Sequence, residues 1–552
     1  MDPKSRPEPT ANDLELLDLR SKDVDKKGAT TGDAPSDSTP AEDESSYPGP
    51  SRRSLTVIAL LLCSFIVGMD QTITATATPY ITDEFHALDQ VGWYASSYLV
   101  SSCLCQLVWG KIYRFFTLKK AYLIAIVIFE AGSVLCAAAP KSAVLILGRA
   151  VAGVGAAGIN AGYGIILTRL VPLRSRAMYD TWGSAAYMTA SVTAPLIGGA
   201  LTTKVSWRWC FWINLPCGAV TAIATILFVK VGQGHTQHQL PLSQKLKEFD
   251  FLGTCTMMGG FACVLLALQW GGIVYAWNSS VVIALFATGG GLLVMFALLQ
   301  WRLKEKALIP LRILGQRNIA FTTVYHILMG AGITILEYYL PLWFQAIEGA
   351  TPLSSGLMLL PIIIAGLVSA LAVGSLISWL GYPQPFLVAG AAIFTIGAGL
   401  LTTFQPHTER AHWIIFQIFA GVGPGLGLQA ALMPVQVVLS DQDVAVGIAV
   451  ENFGFVLGGA LFIPMAQAIF VNRLISGLSR IPRQSARTGA PLSTAGVNQI
   501  LAQFPKKSRP KAKAAYNEAL LLTFWVATAT GILSFLVGLG VDPRISVKKK
   551  QQ

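Results

Sequence analysis

Long apolar stretches separated by short polar connectors fill the chain from about residue 55 to about residue 540. A helix of about 20 residues, rising ~1.5 Å per residue, crosses the ~30 Å hydrocarbon core of a bilayer. The pattern predicts fourteen such spans, at 55–78, 91–110, 120–139, 143–167, 178–202, 209–230, 250–270, 281–301, 318–342, 353–375, 385–404, 412–434, 444–470 and 519–540. An even count puts both termini on one side. With the N-terminus inside, the inner connectors carry Lys111, Arg114, Lys119, Lys120, Arg169, Arg174, Arg176, Arg302, Lys304, Lys306, Arg312 and Arg317, and the C-terminal tail carries Lys548, Lys549 and Lys550. The short outer connectors hold little beyond Lys141, Lys204, Arg208 and Arg410. Positive charge collects in cytoplasmic loops, so both termini are expected in the cytoplasm. The connector 471–517 is expected outside despite Arg473, Arg480, Arg483, Arg487, Lys506, Lys507, Arg509, Lys511 and Lys513, because long loops cross largely regardless of charge. A span count wrong by one is the alternative.

Composition agrees with the pattern. Of 552 residues, 53% are hydrophobic and 13% charged, against ~25% charged in soluble domains. The net charge of +12 sits in the connectors, which is the mark of topology selection and not of a nucleic-acid partner. All eight cysteines lie in apolar runs and none forms a C-x-x-C pair, so they read as small buried hydrophobes, not as disulfides or metal ligands. Residues 1–53 are rich in Pro, Ser, Thr and charge, have almost no aromatics, and are expected to be a disordered cytoplasmic tail. They hold no signal-peptide core, which leaves the first span as the insertion signal.

Motifs of soluble chemistry are missing. Gly153 to Gly158 matches G-x-G-x-x-G, but it follows no strand and lies in mid-membrane, so dinucleotide binding is not expected. There is no Walker A lysine motif, nucleophile elbow or metal-ligand spacing. An enzyme, a cofactor and a metal are therefore not expected.

The chain also repeats itself. VAGVGAAGINA (Val151–Ala161) returns as FAGVGPGLGLQA (Phe419–Ala430), and TAPLIGGAL (Thr193–Leu201) returns as GFVLGGALF (Gly454–Phe462). The two matches keep their order at nearly one offset, which argues for duplication. Spans 1–6 then correspond to spans 9–14, and spans 7 and 8 are an insertion. The domains expected are a tail at 1–53, a six-helix bundle at 54–230, a two-helix insertion with its linkers at 231–317, a second six-helix bundle at 318–540 containing the loop 471–517, and a tail at 541–552. Parallel halves with a central site describe an alternating-access transporter. Ala186, Ala190, Ala194 and Gly198 recur every fourth residue in span 5, as do Gly153, Ala157 and Ala161 in span 4, allowing close helix packing in lipid. Pro195 and Pro424 are expected to bend spans 5 and 12.

Several stretches resemble the major facilitator superfamily, and within it the fourteen-span drug:proton antiporters of fungi. They are MDQTITATATP (Met69–Pro79), the span 4 glycine run from Gly148 to Gly158, APLIGG (Ala194–Gly199), WRWCFWINLP (Trp207–Pro216) and YYLPLWFQAIEGATPLSSGLMLLP (Tyr338–Pro361). The resemblance covers roughly residues 54–540. It implies an all-α polytopic fold, two six-helix bundles plus two extra central helices, and an antiporter motif at Gly153, Gly155, Ala194, Pro195, Gly198 and Gly199. The chain departs from the family where Ala194 replaces the first glycine of GPxxGG, where Ala152 replaces a common glutamine, and where Gly110–Phe116 carries Arg114 and no carboxylate.

Charged groups within the spans are the candidate machinery, since an ionised group in hydrocarbon costs several kcal/mol and must pair, face water or change protonation. Asp70 lies ~13 Å below Pro79 and Arg149 ~10 Å below the start of span 4, so they share a depth. The resemblance implies that the first and fourth helices of each half line the cavity, which would set Asp70 opposite Arg149, as a proton switch or as a fixed bridge. Asp70, Gln71, Thr74 and Thr78 suggest a wet wall. Glu337, on the counterpart of span 1, is a second proton or cation candidate. Gln71, Thr74, Asn160, His326, Gln417 and Gln429 are candidates for the substrate cavity. Glu130 is expected to be structural, Glu451 interfacial, and Trp93, Tyr94 and Tyr98 part of an interfacial belt or of the substrate site. Asn278 opens a glycosylation sequon on an outer loop.

The function expected is proton-coupled export of small amphipathic organic compounds such as drugs, toxins or secondary metabolites. The alternatives are a related carrier of siderophore iron or basic amino acids, and a non-transporting sensor. The partners expected are that cargo, protons and the bilayer, without nucleic acid, for a monomer of the plasma membrane or, alternatively, the vacuolar membrane.

Overall fold

The computed structural model describes residues 49–85, 91–229, 250–272, 275–304, 307–350, 352–406, 408–440, 443–481 and 508–546. Residues 1–48 of the tail expected to be disordered, and most of the loop expected outside, fall outside these residues; the last residues of the expected tail, 50–53, are instead the start of the first helix.

The described chain is helical, with one isolated bridge between Gly271 and Tyr275. In order, the helices are α1 Pro50–Phe85, α2 Val91–Phe115, α3 Leu118–Ala137, α4 Ser142–Leu170, α5 Leu173–Lys204, the short α6 Trp209–Trp212, and α7 Asn214–Phe228. Then come α8 Phe251–Trp270, α9 Ser280–Leu303, the short α10 Leu311–Leu314, α11 Arg317–Ala346, the short α12 Pro352–Leu357, α13 Leu360–Leu380, α14 Gln384–Leu401, α15 Arg410–Val438, α16 Val444–Ser479 and α17 Arg509–Gly538. The side on which α1 begins is called proximal below, and the other distal.

A helix stands at each predicted span, but among the described residues only 12 are long and apolar enough to cross a membrane by composition. The two that fall short are α2 and α5. Their neighbours explain why: α2 packs along α16, and α5 along α13. A helix facing other helices can carry Gln106, Lys111, Arg176 and Asp180, whereas a lipid-facing one cannot. At the other extreme, α9 and the span containing α13 are the most apolar and the least buried.

Packing follows the sequence repeat. Helix α1 lies on α5 and α7, α2 on α4, and α3 on α4 and α7; likewise α11 lies on α16 and α17, α13 on α15, and α14 on α15 and α17. The glycines of the repeated motif make equivalent contacts. A Cβ on Gly153 would lie 2.4 Å from the Tyr98 carbonyl of α2, and one on Gly421 2.1 Å from the Ile362 carbonyl of α13. A Cβ on Gly155 would meet the Phe129 nitrogen of α3 at 2.4 Å, and one on Gly423 the Phe394 nitrogen of α14 at 2.5 Å. These positions accept only hydrogen because backbones touch there. Pro424 lies inside α15, as do Pro341 in α11 and Pro464 in α16. Pro195 falls within α5, with its side chain outside the described ones.

The inserted pair α8 and α9 pack on each other, and α8 leans on α2 and α16. Asp250 caps α8, accepting from the Gly253 N–H at 2.6 Å, and also accepts from Gln300 Nε2 of α9 at 2.7 Å, which ties the hairpin together at its base. The predicted loop 471–517 is shorter than expected. Helix α16 runs on to Ser479 and α17 begins at Arg509, and Arg473 pairs with Glu518 between them. Of the charges that marked a loop, Arg473, Arg509, Lys511 and Lys513 belong to the distal ends of these two helices, and Arg483, Arg487, Lys506 and Lys507 lie outside the described residues.

Candidate functional site

Asp70 and Arg149 meet. Arg149 Nη1 lies 2.6 Å from Asp70 Oδ2, joining α1 to α4. Asn214 Nδ2, at the start of α7, donates to Asp70 Oδ1 at 2.8 Å and to Ser133 Oγ at 3.1 Å. Arg149 Nε donates to the Tyr94 carbonyl at 3.0 Å, and the guanidinium lies 4.3 Å from the Tyr98 ring centroid. Asp70 is 0% exposed and Arg149 1%. The expected wet wall is therefore corrected: the pair is dry, and its hydrogen-bonding groups are met by protein. Thr74 is buried with it, its hydroxyl donating to the Asp70 carbonyl at 3.2 Å. Tyr94 and Tyr98 are buried around the cation instead of lying in a lipid-facing belt. Trp93 packs edge-on against Trp270 at 6.0 Å.

Gln71 points differently. It is half-buried and accepts from the Tyr187 hydroxyl of α5 at 2.5 Å. Glu337 of α11 is exposed and within electrostatic reach of Tyr187. The Gln71–Tyr187 hydrogen bond thus joins α1 to α5. Asn160 is half-buried on α4. Gln417 of α15 is fully buried, and neither its amide nitrogen nor its oxygen has a hydrogen-bond partner among the described residues.

A second polar cluster lies nearer the proximal side. His326 Nδ1 of α11 is 2.6 Å from Glu451 Oε2 of α16 and 3.0 Å from the Thr322 carbonyl. Thr322 and Thr323 donate to Glu451 Oε1 at 2.7 and 3.2 Å. Glu451 is 0% exposed, so its expected interfacial role is corrected to an interior one. Gln429 Nε2 of α15 donates to Asp180 Oδ2 of α5 at 3.0 Å. Glu130, on α3, packs against Gly218 of α7, with both carboxylate oxygens unpartnered among the described residues.

The proximal ends are drawn together by a third layer. Asp443, before α16, accepts from Arg312 Nη2 at 2.9 Å and Ser440 Oγ at 2.8 Å, with Arg114 Nη1 of α2 at 3.9 Å. Burial works to raise its carboxyl, but hydrogen bonds from Arg312 and Ser440, with the charge of Arg312 and Arg114, outweigh it and hold the group below the usual carboxylate range. Arg176 reaches Gln436 at 3.3 Å, Thr181 donates to the Ala370 carbonyl at 3.3 Å, and Gly110 abuts Ala449. On the distal side, Glu84 accepts from Trp207 Nε1 at 2.5 Å and Arg208 Nη2 at 2.9 Å. The Trp207 hydrogen bond is the largest influence on Glu84 and lowers its carboxyl below the usual range; burial opposes and Arg208 reinforces.

Of the motif residues, Ala194 and Gly198 are buried in α5 against the distal core, while a Cβ on Gly199 would meet nothing within 4 Å. Sequence reasoning missed Asn214 and Asp180. Asn214 lies inside the quoted motif WRWCFWINLP, where a lone amide among apolar residues was a signal; Asp180 was masked by the basic residues that precede it. No group of three or more potential metal ligands occurs among the described residues.

Comparison with known proteins agrees with this geometry. A family model described as Major Facilitator Superfamily matches residues 60–463. The chain is 43% identical over 500 residues to the "MFS-type efflux pump MFS1" of Arthroderma benhamiae, covering 90% of this chain and 92% of that protein. It is 40% identical to the "Aspyridones efflux protein" of Neocamarosporium betae, covering 89% and 87%, and 39% identical to the "Efflux pump aflT" of Aspergillus parasiticus, covering 93% and 99%. In fold it is similar to the human organic anion transporter MFSD10, with a TM-score of 0.53, 12% identity and coverage of 87% and 100%. The proton:xylose symporter XylE gives a TM-score of 0.53, 14% identity and coverage of 88% and 95%. By matched length and by identity, this chain belongs to the Major Facilitator Superfamily, a family of transporters and not of enzymes.

Proposed function

We propose that the protein is a proton-coupled exporter of small amphipathic organic compounds, such as toxins or secondary metabolites. The names of its relatives, efflux pumps in each case quoted, support export. The observation that carries the coupling is the ion pair between Asp70 and Arg149. Protonating Asp70 would leave a buried guanidinium unpaired, at a cost of about 3–5 kcal/mol. Proton uptake at Asp70 is therefore tied to rearrangement around Arg149. Glu337, Tyr187 and Gln71 border the space in which cargo is held, with Gln417 and Asn160 as further cavity groups.

The repeat and the matched packing support two six-helix halves, 54–230 and 318–540, joined through the pair at 231–317. Fourteen crossings follow when α2 and α5 span between the halves. The basic connectors support cytoplasmic termini, so the proximal side is cytoplasmic and the described state is closed towards the cytoplasm. One chain holds both halves and acts as a monomer, in the plasma membrane, with the vacuolar membrane as the alternative. Asn278 lies exposed in the turn between α8 and α9 on the distal side, which suits a glycan.

The test is export from cells or proteoliposomes with and without a proton gradient. Asp70→Asn is expected to abolish gradient-driven export; unchanged export would count against the coupling role. The complete burial and pairing of Asp70 favour a second reading, a fixed bridge. In that case the double variant Asp70→Asn/Arg149→Gln keeps gradient-driven export.

A further inference from the structure

Four polar side chains that the coupling pair does not use lie in one layer. His326 is nine residues into α11, Asp180 seven into α5, Glu451 seven into α16, and Gln429 nine before the end of α15. At ~1.5 Å per residue, all lie about 10–14 Å from the proximal helix ends. Helix α5 comes from one side of the repeat, and α11, α15 and α16 from the other.

The geometry fixes the proton on His326. Its Nδ1 faces two oxygens, the Thr322 carbonyl at 3.0 Å and Glu451 Oε2 at 2.6 Å. Both can only accept when Glu451 is ionised, so Nδ1 carries a hydrogen and Nε2 is the nitrogen that can gain one. Glu451 is itself held as an acceptor by the hydroxyls of Thr322 and Thr323. Asp180 lies within electrostatic reach of the same imidazole.

We infer that His326, beside Glu451 and in the same layer as Asp180, is a second proton-binding site, and that its occupancy controls closure of the proximal side. The inference rests on the export reading and adds a site to it. With Nε2 protonated, an imidazolium lies beside Glu451 and within electrostatic reach of Asp180, a carboxylate from the other side of the repeat, and draws α5 towards α11 and α16. Without that proton, the layer holds the Glu451 and Asp180 carboxylates with no charge on the imidazole to offset them, and like charges repel. Opening the proximal side takes Asp180 away and exposes the imidazole to proximal water, into which the proton leaves from Nε2. Binding of the proton and closure are then one linked equilibrium, because the closed form alone brings the second carboxylate.

The surroundings contain no competing charge on the second side. Helices α13 and α14 have no Asp, Glu, Lys, Arg or His. Nor does α17 from Ala519 to Gly538. Helix α15 offers the neutral Gln429 here, its Arg410 and His412 lying at its distal start. Tyr325 packs edge-on to His326 at 6.4 Å. On the first side, Asp180 is within reach of Tyr163 of α4, and it lines a small cavity with Arg176. Arg176 is engaged by the Val171 and Thr168 carbonyls and by Gln436.

The test measures distance across the proximal side in the full chain. Spin labels replace the exposed Lys120 and Tyr382, after alanine replaces Cys217, Cys255 and Cys263, the cysteines that are not fully buried. Electron–electron distances are recorded in lipid between about pH 5 and pH 8.5, the range in which histidine changes charge. The wild-type distance is expected to be short at low pH and to lengthen as pH rises. His326→Gln is expected to abolish the dependence. Asp180→Asn, a milder change at a half-buried position, is expected to move the midpoint about 1 pH unit lower, the scale set by one neighbouring charge. Asp70→Asn is expected to keep the transition. A wild-type distance that ignores pH, or a wild-type midpoint in both His326→Gln and Asp180→Asn, overturns the inference. Failure of the export reading appears elsewhere, as absence of gradient-driven export by the wild type.

Discussion

Gly110→Ala should open the proximal side. Gly110 is near the end of α2, and a Cβ built there lies 2.6 Å from Ala449 Cβ and 3.6 Å from the Ala445 carbonyl of α16. Carbon atoms rest at about 3.5–4.0 Å, so the helices must part by roughly 1 Å. Overpacking of this kind costs about 1–3 kcal/mol. The helix-propensity gain of alanine, about 1 kcal/mol, is common to open and closed forms and cancels. A cost borne by the closed form alone shifts the populations by about 5- to 150-fold. Thr168→Cys reports it, because Thr168 lines the small cavity with Arg176, Asp180 and Gln436 between α4, α5 and α15. The alkylation rate of that cysteine should rise at least about 5-fold on adding Gly110→Ala. Gly290→Ala on α9, where a Cβ meets nothing within 4 Å, should leave the rate unchanged. An unchanged or slower rate in a Gly110→Ala protein of normal melting temperature would refute the reasoning.

Gly155→Ala should lower thermal stability in detergent by about 1–3 kcal/mol, since its Cβ meets the Phe129 backbone. Gly199→Ala should be neutral or slightly stabilising, and equal losses in the two would undo the comparison. Asn214→Leu removes the second hydrogen bond of the Asp70 carboxylate and should cost about 1.5–3 kcal/mol, read as a melting-temperature loss that Asn214→Gln partly restores. At the distal side, the Glu84 carboxyl is lowered on folding, so its contribution is complete above about pH 4.3 and is lost as pH falls through the lowered value. The melting difference between wild type and Glu84→Gln should therefore be at most about 1 kcal/mol at pH 7 and vanish in strong acid, as expected of a part-exposed pair.

Apolar run length was enough to place the helices, because lipid-facing surface must be apolar throughout. It weakened at α2 and α5, where helices face helices and the lipid constraint lapses. The repeated Ala-Gly-Val-Gly was readable because backbone contact demands glycine, and Gly153 and Gly421 meet equivalent partners. Side-chain pairing was less legible. Glu451 lies seven residues into α16, a position that suits an interfacial carboxylate as well as a buried one, and only the fold brings His326 to it across the intervening chain. Tyr94 and Tyr98 carry the signature of an interfacial belt near a helix end, yet both side chains are buried: the Tyr98 ring lies against the Arg149 guanidinium, and the Tyr94 hydroxyl meets Ser142 Oγ at 2.8 Å.

Location within the repeat decides what each charged pair can do. Asp70 and Arg149 lie on α1 and α4, before the inserted pair of helices, and His326 and Glu451 on α11 and α16, after it. A pair that moves as one body keeps the same neighbours when the halves rock, so its proton affinity changes only through water or cargo reaching it. A proton shifts an equilibrium only by its differential affinity for the two states. Groups that cross the seam supply that difference directly. Asp180 does so by accepting from Gln429 and lying within electrostatic reach of His326, and Arg114 more weakly by lying 3.9 Å from Asp443. Asp70 has a longer route: its neighbour Gln71 takes the Tyr187 hydroxyl, and Glu337 acts on Tyr187 from the other side. Removing Tyr187's hydroxyl should therefore loosen the dependence of export on the proton gradient without touching the Asp70–Arg149 pair. Tyr187→Phe that exports with the wild-type gradient dependence would show that Asp70 communicates through water alone.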